Sequence, residues 1–272
     1  MGSQVIKDIA ALAMLPNDSP TSLKGKPGNK KAVAWNEPLP VEEVKLVGKV
    51  LDCSINDVLL SCVSGAIRNY LRSRGEVVEG VEVRAMVPVN LRPLKDALQL
   101  GNKFGLVPLT LPVGIENPLE RLLEVKRRMG ELKTGYQALL AFAILGVVGS
   151  LPKMVQDQVL AIFGNKSTAV MTNVPGPSVP IKMAGETLSR VMFWVPQSGD
   201  IGMGVSILSY AGGVQFGLIT DTVLCPDPQK IIDGFAPEFE KLMLTVMMMP
   251  KEAVVTGQWS PRDVARRILH LA

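Results

Sequence analysis

The sequence predicts an α+β fold, layers of helix against sheet. Two observations carry this. Segments with helical and with strand periodicity are mixed along the chain without the strict strand–helix–strand alternation of a doubly wound parallel sheet, and two late strands are joined by Ala211-Gly212-Gly213, the signal of an antiparallel hairpin. The 272 residues are 47% hydrophobic and 20% charged, enough to bury a sizeable core and too apolar for disorder. Three divisions are expected: an N-terminal helix and linker over 1–31, a main domain over 32–246, and a tail with a short helix over 247–272.

The elements follow in order. Val5 to Leu15 reads as a short amphipathic helix, and the Pro/Gly/Lys-rich stretch from Asn17 to Lys31 as a linker or exposed loop. A strand over Ala32–Trp35 precedes a helix over Val41–Val50. The next helix has the plainest pattern: Val58, Leu59, Cys62, Val63, Ala66, Ile67, Tyr70 and Leu71 recur at helical spacing. Ser54 with Asp57 three residues later suits its start, and Gly75 its stop. Val81–Val89 alternates as a half-buried strand does. Phe104–Leu111 is a second strand, which Pro108 assigns to an edge or a bulge. Asn117-Pro118 opens a helix with Glu120 placed for a capping box. Apolar helical segments run from Tyr136 to Phe163. A strand over Ala169–Asn173 ends in Val174-Pro175-Gly176-Pro177, and strands follow over Leu188–Val195, Ile201–Tyr210 and Val214–Thr220. Asp227-Pro228 caps a long helix that Pro237 should kink, and Ser260-Pro261 opens a short final one.

Charge and cysteine count exclude several functions. A net charge of +4 from 29 basic and 25 acidic residues does not call for nucleic acid. The three cysteines, Cys53, Cys62 and Cys225, give neither a C-x-x-C pair nor an even set, so no disulfide framework or zinc site is expected, and a reducing, cytoplasmic compartment fits. No signal peptide is visible, and the apolar run Ala138–Val148 is too short to span a bilayer. There is no G-x-G-x-x-G, Walker or G-x-S-x-G motif. The only histidine, His270, precedes just Leu271 and Ala272. Histidine is the usual base for acyl transfer, so a base within this chain is not expected.

Six segments together resemble the C-terminal half of the bacterial wax ester synthase/diacylglycerol acyltransferases. They are Trp35-Asn36-Glu37-Pro38-Leu39-Pro40, Asn56-Asp57-Val58-Leu59-Leu60, Val87-Pro88-Val89-Asn90-Leu91-Arg92, Gly101-Asn102-Lys103-Phe104-Gly105, Thr172-Asn173-Val174-Pro175-Gly176-Pro177 and Gly199-Asp200-Ile201-Gly202-Met203-Gly204. The resemblance implies one half of a chloramphenicol-acetyltransferase-like architecture, a mixed, largely antiparallel sheet packed with helices, in which two similar halves face a substrate tunnel. It further implies transfer of a fatty acyl group from acyl-CoA, a co-substrate, to a long-chain alcohol or diacylglycerol, with no bound cofactor or metal. The family's His-His-x-x-x-Asp-Gly motif belongs to the N-terminal half and has no counterpart here. The catalytic half is therefore expected to come from elsewhere, in cis or in trans, and this chain is expected to be inactive alone.

No catalytic residue is assigned. Asn56, Asp57, Asn102, Asn173, Gly202 and Gly204 are the candidates for supporting the site or binding substrate. Each has a plainer alternative. Asp57 suits a capping box, Asn102 and its neighbour Lys103 a turn into a strand, Asn173 a strand end before a fixed turn. Gly202 and Gly204 flatten one strand face for an acyl chain or for another piece of backbone. Asn56 stands open between structure and site. The run Ala138–Val148 and the basic final helix suggest peripheral contact with a membrane or lipid inclusion. A non-catalytic lipid- or partner-binding module is the alternative function.

Overall fold

The computed structural model describes residues 17–90, 104–134, 166–197 and 199–249, with scattered positions between 149 and 164. The helix expected over Val5–Leu15, Asn102 and Lys103, the run Ala138–Val148, and the final helix with His270 lie outside the described residues.

One twisted layer is a seven-stranded sheet. Its strands are β1 (Lys31–Trp35), β2 (Leu39–Pro40), β3 (Val83–Asn90), β4 (Phe104–Leu111), β5 (Ala169–Pro175), β8 (Met203–Tyr210) and β9 (Gly213–Asp221); β6 (Lys182–Met183) and β7 (Glu186–Thr187) form a separate small hairpin. The order is β1-β9-β8-β5-β3-β4, with β2 continuing β1 along β9. The pairs β3–β5 and β5–β8 are parallel and the others antiparallel, so the sheet is mixed, as expected. Pro108 sits on β4, an edge strand, where a missing N–H leaves no ladder gap on the outer side. Tyr210 faces Gly213 in register, so β8 and β9 meet through the two residues Ala211 and Gly212. Both have positive φ, +47° and +84°, the twist that a two-residue hairpin favours.

The second layer is helical: α1 (Val41–Val50), α2 (Ile55–Ser73), α3 (Pro118–Thr134), α4 (Gln229–Asp233) and α5 (Phe235–Met247). Helix α2 is its centre, and its sequence explains both ends. The Ser54 hydroxyl accepts the Asp57 N–H at 3.2 Å while an Asp57 carboxylate oxygen accepts the Ser54 N–H at 2.8 Å, a complete capping box. At the far end Gly75, at φ +80°, donates to the Arg72 carbonyl and Glu76 to the Leu71 carbonyl, the paired bonds of a Schellman stop. Between them Val58, Leu59, Val63, Ala66, Ile67 and Leu71 are buried against the sheet and the neighbouring helices.

A buried ion pair ties three helices together. Arg121 of α3 and Glu238 of α5 are 1% and 2% exposed and directly bonded, and Arg121 also donates to the Ser61 carbonyl of α2. Burial pushes the Arg121 guanidinium below its ordinary value. Burial alone would raise Glu238, but Arg121, Lys241 and Asn69 outweigh it and hold the carboxyl below the ordinary range. Gly65 makes room for the pair: a Cβ there would run into both side chains.

Four sequence expectations need correction. The stretch 17–31 is not an exposed linker. Leu23 is 1% exposed, Lys24 donates to the carbonyls of Gly164 and Ser167, and the Asp18 carboxylate takes the Arg84 N–H and the Thr168 hydroxyl. Residues 188–195 make no strand. They cross the face of the sheet away from the helices, where the ladders of β8 and β9 are already complete. Pro237 does not kink one long helix. It lies in the first turn of α5, where its missing N–H costs nothing, and the break falls at Gly234, because the proline ring cannot follow a helical Asp233 carbonyl. Asp227 makes no side-chain cap; it accepts the Tyr70 hydroxyl at 2.7 Å and pairs with Lys230.

Candidate functional site

The site grows from four pieces of local structure that meet at one end of the sheet. Strand β5 ends in Asn173-Val174-Pro175, and the turn Gly176-Pro177 is fixed onto the hairpin: Gly176 donates to the Ser209 carbonyl and Ala211 donates to the Pro177 carbonyl, both at 2.9 Å. Gly176 must be glycine-sized, since a Cβ would press into the Ser209 carbonyl. Opposite stand α1 and the first turn of α2. Between them lies a cavity of about 510 Å³ lined by Val41, Ile55, Leu59, Pro175, Pro177 and Val214, with Asn56, Asn173, Ser178, Ser209 and Tyr210 as polar groups and the Lys45–Glu42 pair at its rim.

Asn56 and Asn173, 117 residues apart in sequence, meet here. The Asn173 side-chain nitrogen donates to the Asn56 side-chain oxygen at 2.7 Å. The Asn56 amide nitrogen has no protein partner among the described residues, so its N–H groups are available to a ligand oxygen. Tyr210 secures the approach to the cavity. Its hydroxyl accepts the Ile181 N–H and donates to the Leu188 carbonyl, each at 2.8 Å, which holds the segment carrying β6 and β7.

The other candidates are placed elsewhere. Asp57 follows Asn56 but turns inward and is 4% exposed, spent on the capping box. Gly202 and Gly204 lie towards the opposite end of β8. A Cβ on Gly202 would meet Leu224, and one on Gly204 would lie 2.8 Å from the Val195 carbonyl. The face is filled by protein from a non-helical neighbour: the Leu224 side chain packs over Gly202, and the Ile219 side chain and the Val195 carbonyl press against Gly204, where tight packing against a helix or room for an acyl chain was expected. The sequence marked the hairpin turn as a fold signal and not as part of a site, and the α1 wall was not pointed to at all; the Pro-Gly-Pro turn after Asn173 was the nearest indication.

The arrangement can hold an apolar chain and hydrogen-bond a polar head, and among the described residues no histidine or cysteine lines it. Cys53, close by in sequence, is pushed up to about 12 by burial, and burial also raises Cys62 and Cys225, so none of the three is a ready thiolate. Among the described residues no group of three or more His, Cys, Asp or Glu side chains stands where a metal ion would be held. No single described helix is long and apolar enough to cross a membrane; α1 and α2 together are, but they meet at 99° and most of α2 is buried in the core.

Comparison with known proteins gives this geometry its context. The chain is 28% identical over 209 residues to a probable diacylglycerol O-acyltransferase of Mycobacterium tuberculosis, covering 75% of this chain and 45% of that protein. It is 25% identical over 263 residues to wax ester synthase/diacylglycerol acyltransferase 11 of Arabidopsis thaliana, covering 85% and 52%. The chain thus spans about half the length of the curated relatives it matches. Among solved structures, the wax ester synthase/diacylglycerol acyltransferase from Marinobacter aquaeolei VT8 superposes with a TM-score of 0.65 at 20% identity, over 90% of this chain and 56% of that one. A trichothecene 15-O-acetyltransferase from Fusarium sporotrichioides does so at 0.60 and 12%, over 89% and 52%. The fold is therefore that of the chloramphenicol-acetyltransferase-like acyltransferases. The WS/DGAT C-terminal domain matches residues 100–243, more than half of the sequence, and the chain belongs to the wax ester synthase/diacylglycerol acyltransferase family.

Proposed function

We propose that this chain forms the C-terminal wall of an acyl-transfer site that moves a fatty acyl group from acyl-CoA to a long-chain alcohol or diacylglycerol. The carrying observation is the Asn56–Asn173 pair at an apolar cavity, with the Asn56 N–H groups uncommitted. In this proposal a His-His-x-x-x-Asp-Gly half, in cis or in trans, supplies the base that deprotonates the alcohol. The alcohol oxygen attacks the thioester carbonyl while Asn56 donates to the oxygen on which negative charge develops; the C–S bond then breaks and CoA leaves as its thiol, taking the proton back from the histidine. The apolar wall of Val41, Ile55, Leu59 and Val214 takes the hydrocarbon chain. We place the enzyme peripherally on a cytoplasmic lipid surface, since its substrates partition there.

The test is to combine this chain with a histidine-bearing N-terminal half and measure wax ester and triacylglycerol formation. The chain alone should be inactive, and Asn56→Ala should slow the reconstituted enzyme by about fivefold to over a hundredfold, the kinetic equivalent of one lost hydrogen bond of about 1–3 kcal/mol. The thermal midpoint should barely move, because Asn56 is exposed. Turnover by the chain alone would refute the division of labour. A cavity with no histidine among its described lining also suits a lipid-binding module; lipid binding by the chain, with no activity after addition of the other half, would favour that function instead.

A further inference from the structure

We propose that Asn173 is a positioning residue: its side-chain N–H fixes the amide flip of Asn56, so that Asn56 turns its NH2 group, and not its oxygen, towards the cavity. This rests on the donor role given to Asn56 above. A carboxamide has two orientations that differ by half a turn, nearly equal in shape and opposite in polarity. Asn56 is exposed in the first turn of α2, and no other described side chain bonds to it. Unconstrained, it would present oxygen to the ligand in a large fraction of molecules, and that oxygen would repel a developing oxyanion.

Asn173 is well placed to choose between the two. It sits on β5, held on the backbone by the parallel ladder with β8 at the Asn173–Ile207 register, and the turn after it is pinned through Gly176. A donor on such a strand keeps its direction better than one on a loop. Its bond to the Asn56 oxygen, at 2.7 Å, lies at the short end of the normal range for N–H···O. With that oxygen occupied, the Asn56 nitrogen is left for the cavity, which both residues line.

The decisive substitution is Asn173→Asp. It is nearly isosteric but can only accept when ionised, so Asn56 must turn and spend its N–H on residue 173. In the 15N-labelled chain, the Asn173 side-chain amide should be protected from hydrogen exchange and that of Asn56 should not, the two being assigned by their loss in Asn173→Asp and Asn56→Ala. In Asn173→Asp the Asn56 amide should become the protected one. In the reconstituted enzyme Asn173→Asp should lower kcat about a hundredfold, as loss of one oxyanion donor does, with little change in KM for acyl-CoA. Asn173→Leu, which frees Asn56 without turning it, should fall between, and Asn173→Gln, which keeps the donor, should retain most activity. A purely structural role would instead order these variants by thermal midpoint. A protected Asn56 amide in the unsubstituted chain overturns the proposed orientation. A flip that reverses as described while kcat stays undiminished overturns the donor role, and with it the function proposed above.

Discussion

Asn56 and Asp57 are adjacent, yet a helix turns about 100° per residue and sends them to different environments. Asp57 faces inward and closes the capping box; Asn56 faces the cavity. Ser54→Ala should therefore lower stability by about 1 kcal/mol, read as a thermal shift of the chain, and leave acyl transfer by the reconstituted enzyme near its original rate. The Asp57 role was legible because Ser-x-x-Asp is local. The Asn56 partner was not, because nothing in either segment encodes a contact across 117 residues. Glu238 was illegible for the same reason: at helical spacing it reads as a surface acid, and only the fold brings Arg121 to it. Glu238→Gln leaves a buried guanidinium without its counter-charge, at a cost of about 3–5 kcal/mol by urea unfolding near neutral pH. Because Glu238 is depressed in the folded chain, its stabilisation is complete above the ordinary value of 4.5 and is lost as the pH falls through the lower folded value. The gap between wild type and Glu238→Gln should accordingly narrow as unfolding is followed down from pH 7 to about pH 3.

Elements with signals at both ends were read well. Helix α2 has a box at one end, a periodic face along its length and a glycine stop at the other end, each written in residues only a few positions apart. The β8–β9 hairpin was equally plain, but its turn is not optimal, since Ala211 holds φ +47° where glycine would be unstrained. Ala211→Gly should stabilise the chain by up to about 1 kcal/mol, measured as a higher thermal midpoint. The segment 188–195 shows what pattern cannot supply. It is composed like a strand, yet strands need a free ladder edge, and here the segment lies over a finished sheet and is held by contacts such as Arg190 to the Glu37 carboxylate. Pro237 was correctly read as a helix disturbance and placed one turn late, because a proline disrupts the carbonyl four residues before it.

At the scale of the molecule, the mixed layer architecture was legible from element order, whereas the packing of residues 17–31 was not, because composition alone cannot tell a linker from a chain held by buried polar groups. Asp18 is the clearest of these groups. Asp18→Ala would remove the acceptor of the nearly inaccessible Thr168 hydroxyl and a carboxylate bonded to the Arg84 N–H, and should destabilise the chain by about 1–3 kcal/mol, with proteolysis near residue 20 accelerated in step. The same end of the chain governs how the molecule can be made. Among the described residues strand β1 has a single neighbour, β9, and the Lys31–Asp221 ion pair that marks their junction spans 190 residues. At a synthesis rate of about 5–20 residues per second, β1 waits on the order of ten to forty seconds after leaving the ribosome before its partner exists. During that interval Val33 and Trp35 lack the β9 partner of the finished fold, so the nascent chain carries an unpaired, sticky edge until residues 213–221 have been made. Its yield in the cell should depend on chaperone capacity more steeply than its final stability would suggest.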